Sequence, residues 1–329
     1  MRMFTHRIAL AAMMAAAALA APVQAKDNPG PIAIHGNKQT FEIAPVLLAA
    51  EKYYPGEASV KMGGIPNLVG EPIIPGFGEE GVADVATHAE TQALRYSVRH
   101  PDLRIILNVT RGHYSIVARK SAGIAMLGDI KGKRIATIPQ TSAGYFLYRM
   151  LNVVELDFDD VEIVALQPGT PLSSMTEAMA KGEVDAIAIW EPESSNAGWA
   201  LNGDRVEFSG RYEEHFNLNT TAENLADPVK RAKIVAFTRA VIEAAGEVRR
   251  DPAEAKRLVR EQGGFTELEI FLGWPQHEFG ADFPEAMLDL LVDEEQWLAA
   301  QDKRPARSRE ELAKLIDTSV YEEAMALGR

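Results

Sequence analysis

Short β-branched runs alternate with amphipathic stretches through the middle of the chain. Residues 134–138 (Arg-Ile-Ala-Thr-Ile) form a run closed by Pro139, the pattern of a strand. Thr141 and Ser142 precede Phe146, Leu147, Met150 and Leu151, which are apolar at helical spacing. That order predicts an N-cap followed by a helix. A second strand is expected over 161–165. Thr170-Pro171 then reads as an N-cap with proline in the first turn, opening a helix from Leu172 to Lys181-Gly182. Residues 186–190 are wholly apolar, as in a strand covered on both faces. A strand–helix–strand–helix–strand series builds an open parallel sheet, with ligands beyond the carboxyl ends of its strands. Two segments fall there, 140–143 and 190–192.

The flanks carry weaker versions of the same pattern. Strands are predicted over 31–35, 58–62 and 82–86. Ile43, Val46, Leu47 and Ala50 mark one helix face, with Pro45 tolerable in its first turn. Residues 63–81 are rich in Gly and Pro and read as loop, and a helix is expected from Thr87 to about Val98. Strands over 103–110 and 113–118 are expected to be interrupted by Arg111-Gly112, as at a crossing between two bodies. Further on, Asp227-Pro228 caps a helix of about 20 residues and Asp251-Pro252 another ending at Gly263-Gly264. Ser308 with Glu311 has capping-box spacing for the last helix.

Composition narrows the class. The chain has 329 residues, no Cys and a formal net charge of -13. Arg2 and Arg7, a short apolar stretch over 8–21 and Val23-Gln24-Ala25 make residues 1–25 a cleavable signal peptide, which predicts a periplasmic product. The apolar stretch is too short to span a bilayer. The acidic balance argues against nucleic acid or an anionic membrane as partner. Without Cys there is no disulfide.

Three groups of residues then carry a likeness. They are Leu127-Gly-Asp-Ile-Lys-Gly-Lys-Arg-Ile-Ala, Thr141-Ser142-Ala143-x-Tyr145, and Gly182-x-Val-Asp185-Ala186-x-x-x-Trp190-Glu-Pro192. Together they resemble the periplasmic substrate-binding proteins of the alkanesulfonate, taurine and nitrate transporters, as does Asp84-Val-Ala-Thr-His-Ala-Glu90 upstream. The resemblance implies a type II periplasmic-binding-protein fold, α/β and two-lobed, each lobe an open mixed sheet flanked by helices, with the ligand cleft between. It implies lobe 1 from 26–113 and 218–329, and lobe 2 from 114–217. It implies a monomer that binds a small-molecule solute and docks on the membrane permease of an ABC importer, with no cofactor. The chain departs from the family pattern at Asn37, Gln140 and Gly144, where ligand is expected.

Candidate ligand contacts follow from the turns facing that cleft: His35, Asn37 and Gln39 at the first, His88 and Glu90 at the second. Thr141 and Ser142 offer hydroxyls and free N–H groups at a helix start, which suits an anion cradle and equally an ordinary cap. Gln140 and Tyr145 flank them. Trp190 offers a stacking wall or a core residue, and Glu191 an acceptor for a ligand nitrogen or for a cation across the cleft. Arg111 could hold an anion as a planar fork, or be a solvated charge; His113 adjoins it, and Asn217 lies near the second crossing. His35, His88 and His113 match no short metal motif, so no metal site is expected.

The function expected is capture of a small organic solute, either a sulfonate-like anion or a polar heteroaromatic compound, for import. The alternatives are an enzyme or a periplasmic sensor on the same fold. The thiamin-pyrimidine synthases, which resemble these proteins, use a cysteine-rich iron motif that a chain without Cys lacks. No nucleophile elbow, phosphate loop or zinc-protease helix is present, and a non-enzyme is expected.

Overall fold

The computed structural model describes residues 28–73, 76–167 and 170–327. The expected signal peptide lies outside them. The order is β1 (Ile32–Gly36), α1 (Ala44–Leu48), β2 (Ala58–Met62), α2 (Ile65–Val69), β3 (Val85–Ala89) and α3 (Glu90–Ser97). Then come β4 (Leu103–Arg119), β5 (Arg134–Thr137), α4 (Ser142–Val153), β6 (Glu162–Ala165), α5 (Ser173–Ala180), β7 (Ala186–Ile189) and α6 (Glu193–Leu201). The chain closes with β8 (Arg205–Thr221), α7 (Ala222–Ala226), α8 (Pro228–Arg250), α9 (Ala253–Gly263), α10 (Glu267–Gly273), β9 (His277–Glu278), α11 (Met287–Gln301), α12 (Arg309–Ala313) and α13 (Ser319–Ala326). Among the described residues no helix is long and apolar enough to cross a membrane.

Strand order is β2-β1-β3-β8-β4-β7-β5-β6, with β9 on β4. At one end β1 lies parallel between β2 and β3; at the other β5 lies parallel between β6 and β7. Each is a point where successive crossovers leave in opposite directions, which opens a crevice beyond the strand's carboxyl end. The two crevice edges are the turns after Gly36 and after Thr137. Between them the long antiparallel pair β4 and β8 runs through both halves. The β3 half hangs on Phe216–Asn219 of β8 and the β7 half on Ser115–Ala118 of β4. The architecture is α/β, one continuous mixed sheet with a hydrophobic core in each half.

Local signals hold where they are backbone chemistry. Thr141 caps α4, its hydroxyl accepting from Ala143 N–H. Asp227 caps α8 by accepting from Val229 and Lys230 N–H. Ser308 and Glu311 form a capping box, although α13 follows the helix they open. Four expectations need correction. Arg111-Gly112 does not interrupt β4, because β8 and β9 hydrogen-bond this segment on both edges; bulges in the ladder absorb the irregularity instead. Residues 87–89 stay extended, paired to β8, so α3 starts at Glu90. Thr170 caps nothing, since α5 starts at Ser173 with Leu172 in the cap position. The first half of β8 is extended where no strand was expected.

Two hydrophobic cores flank the sheet. One packs Phe41, Ile43 and Leu47 against Phe237 and Val241 of α8 and Leu258 of α9. The other packs Tyr145, Phe146 and Leu147 of α4 against β5, β7 and Trp297 of α11. Each fully buried side chain of this size contributes about 1.5–3 kcal/mol. β7 is covered on both faces, as its unbroken apolar run predicts.

Candidate functional site

The two crevice edges face one cleft of about 710 Å³. Asn37, Thr40 and Glu42 enter it from the β1 turn, and Ile138, Pro139, Gln140, Thr141 and Ser142 from the β5 turn. Gly63, Gly64 and Pro66 approach from the β2–α2 turn, His88, Gln92, Arg95, Tyr96 and Arg99 from β3 and α3. Tyr114, Trp190, Glu214 and Phe216 also line it. The amide of Gln92 donates to the Gln140 carbonyl at 3.1 Å, so α3 and the β5 turn touch directly.

Six of the fourteen candidates line this cleft: Asn37, His88, Gln140, Thr141, Ser142 and Trp190. Several are already engaged. The Asn37 carboxamide oxygen accepts from Gln39 N–H. The Thr141 hydroxyl donates to the Ile138 carbonyl at 2.8 Å while capping α4. Ser142 Oγ is 2.8 Å from the buried Tyr114 hydroxyl. Burial lowers the His88 pKa to about 4, which keeps its ring neutral. The Trp190 indole N–H has no partner among the described residues and lies edge-on to Tyr114, 6.5 Å between ring centroids.

The other eight lie outside the lining. His35 is inward on β1, against Gly63 and Gly81, with both ring nitrogens unpartnered among the described residues. Gln39 and His113 are exposed. Glu90, at the helix start because β3 runs on to Ala89, points into the core and accepts from the Tyr212 hydroxyl and His215 N–H. Arg111 is held by Asp282 at 2.8 Å and Glu278 at 3.2 Å. Tyr145 is on the core face of α4, and burial raises its pKa to about 12. Glu191 accepts from the Ser194 hydroxyl and Ser195 N–H. Asn217 accepts from Asn108 inside the β4–β8 ladder.

The most buried part of the cleft holds residues that sequence reading missed: Glu42, Tyr114, Glu214 and Phe216. Tyr212, Glu214 and Phe216 alternate along β8, a period-2 signal that recognising the strand would have exposed. Glu42 lies 3.5 Å from His277 Nε2. His277 Nδ1 is 3.0 Å from the Gly273 carbonyl, which only accepts, so Nδ1 carries a proton. Burial alone would raise the Glu42 pKa, but the His277 pairing outweighs it and lowers it; the same pairing raises His277 against its burial. Both shifts favour the ion pair, imidazolium with carboxylate. Glu214 is pushed well above the usual carboxyl range by burial and then by the charges of Glu42 and Glu90. That direction favours the protonated carboxyl.

Comparison with known proteins shows the fold to be that of the periplasmic binding proteins. The alkanesulfonate-binding protein SsuA of Xanthomonas axonopodis pv. citri, bound to MOPS, superposes with a TM-score of 0.65 at 17% identity, covering 88% of this chain and 99% of that one. The periplasmic aliphatic sulphonate-binding protein SsuA of Escherichia coli gives 0.65 at 17%, covering 87% and 92%. A point mutant of DSZB in complex with biphenyl-2-sulfinic acid gives 0.62 at 13%, covering 91% and 99%. Among curated proteins, provisionally named binding proteins of Brucella abortus and Brucella suis are 34% identical over 71 residues, 21% of this chain; the match spans only 21% of their own length. The profile of the family described as NMT1/THI5 like matches residues 40–255, more than half of the sequence. By that match, this chain belongs to the NMT1/THI5-like family.

Proposed function

We propose that the chain is an extracytoplasmic solute-binding protein, exported behind residues 1–25, that captures a small organic solute and delivers it to the permease of an ABC importer. One observation carries the reading. The large cleft lies at both switch points of the sheet, and aromatic faces and unsatisfied polar atoms line it together. Pre-formed, mostly apolar clefts with a few convergent polar groups are the usual form of small-molecule sites. The sulfonate-binding structures of like fold support this reading without naming the solute here. Lobe 1 (26–113 and 218–329) and lobe 2 (114–217) are proposed as the bodies that close on it, bending within β4 and β8.

A thermal-shift screen over sulfonates, carboxylates, amines and heteroaromatics tests this. A solute at 100 times its dissociation constant stabilises by about 2.7 kcal/mol. Solution scattering with the hit should give a smaller radius. A second reading, an enzyme, draws on the likeness to DSZB. Recovery of the hit chemically unchanged after long incubation rejects it; turnover rejects the transport reading.

A further inference from the structure

We infer that the buried end of the cleft takes the cationic, N–H-bearing end of a small organic solute, such as an ammonium or amidinium, between Glu42 and Glu214. This rests on the solute-binding reading above and names the class of solute.

Glu42 reaches the cleft from the turn before α1, and Glu214 from β8. They are 2% and 4% exposed. They meet at Gly112, which faces Glu214 across the β4–β8 ladder. A Cβ on Gly112 would lie 3.1 Å from Glu42 Oε1 and 3.3 Å from Glu214 Oε2, so glycine leaves room for both carboxyl groups. Oε2 of each has no hydrogen-bond partner among the described residues. A buried carboxyl oxygen without a donor is costly, and a carboxylate can only accept. Without solute, the one donor between them is a proton on Glu214, which lets the two carboxyl groups bond to each other; N–H groups of a cation arriving through the cleft would take its place.

The charges around the pair point the same way. Glu90 on α3 and Glu294 on α11 share the Tyr212 hydroxyl close by. Tyr114 on β4 is neutral, its hydroxyl turned to Ser142. His277 on β9 is the cation in contact with Glu42, with Glu191 beyond it. Arg111 is held by Asp282 and Glu278. Burial raises the Glu90 and Glu294 carboxyls, which favours their neutral forms, so an entering anion would meet the carboxyl oxygens of Glu42 and Glu214, which offer it at most one proton. Thr141 and Ser142, the expected anion cradle, have spent their hydroxyls on the Ile138 carbonyl and on Tyr114. Tyr114, Trp190 and Phe216 add aromatic faces that attract a cation. The cleft is far larger than a metal ion needs, which favours an organic one.

The binding step balances in charge. In the free protein Glu42 is ionised and Glu214 carries a proton. As the cation donates its N–H groups to both carboxyl groups, Glu214 gives that proton to solvent. One positive charge enters and one leaves.

The test is isothermal titration of the full mature chain near neutral pH in two buffers of different ionisation enthalpy. The probes are agmatine, benzamidine and tetramethylammonium against methanesulfonate. Agmatine or benzamidine should bind with release of close to one proton, tetramethylammonium more weakly, and methanesulfonate not at all. Glu214→Gln should weaken the N–H cation by about ten-fold or more and abolish the proton release. If that variant does not fold, Gly112→Ala, which crowds both carboxyl groups, should weaken the same probes. Tighter binding of methanesulfonate, cation binding indifferent to both variants, or no binding by any cation overturns the inference. A neutral heteroaromatic hit in the thermal-shift screen would then leave the solute-binding reading standing; no hit in any class would overturn both.

Discussion

Glu295→Gln should destabilise the chain by about 3 kcal/mol at neutral pH, with a loss that fades in acid. Glu295 is fully buried on α11. Its carboxylate accepts from Arg304 Nη1 at 2.5 Å and Nη2 at 3.1 Å, and from Arg307 N at 2.9 Å, Nε at 3.1 Å and Nη2 at 2.9 Å. Burial would raise its pKa, but the two arginines outweigh it and lower it to about 2. Against the usual 4.5, that difference corresponds to about 3 kcal/mol. The sign follows from a depressed folded pKa. The stabilisation is complete above 4.5 and is lost as pH falls through about 2. The consequence reaches the cleft, since Arg307 also donates to Ser97 Oγ and the Leu94 carbonyl of α3, the helix that carries Gln92, Arg95 and Tyr96. Urea unfolding of wild type and variant at neutral pH and near the acid limit of folding gives the gap at each. A gap under about 1 kcal/mol at neutral pH, typical of a surface pair, or a gap that ignores pH, would refute the reasoning.

Gly144→Ala should disturb the site from outside it. Its Cβ would overlap the Pro139 carbonyl oxygen, so the 139–141 turn must move. A cost of about 1–3 kcal/mol and weaker solute binding are expected, and unchanged melting and affinity would show that the turn yields freely. Thr141→Val with Ser142→Ala should lower stability by about 2 kcal/mol, one cap and one buried hydrogen bond, as read from chemical denaturation. Loss of sulfonate affinity with stability intact would restore those hydroxyls as ligand contacts.

How much was legible follows from the range of each interaction. Caps are contacts within a few residues, so Thr141, Asp227 and Ser308 were readable directly. The βαβ series was readable because β7 is apolar throughout. The start of β8 was missed although it alternates, with Val206, Phe208 and Tyr212 inward and Arg205, Glu207, Ser209 and Arg211 exposed, because Gly210 breaks the apolar series. His35 and Glu90 were placed by their turns, but the pleat of β1 and the later position of β3 turn both inward. Glu42 and Glu214 look like any other glutamates of an acidic chain. Only the β4–β8 register and the His277 contact, both long-range, reveal them as one pair.

The central claim is capture of a small solute in the cleft between the β1 and β5 turns. A crystal structure of the protein with the tightest hit from the solute screen tests it most directly. The account predicts solute enclosed against Tyr114 and Trp190, in contact with the β5 turn and with the Gly63-Gly64 turn opposite. Solute bound only on the outer surface, for example in the shallow depression by His35, Lys61 and Asp84, would contradict it.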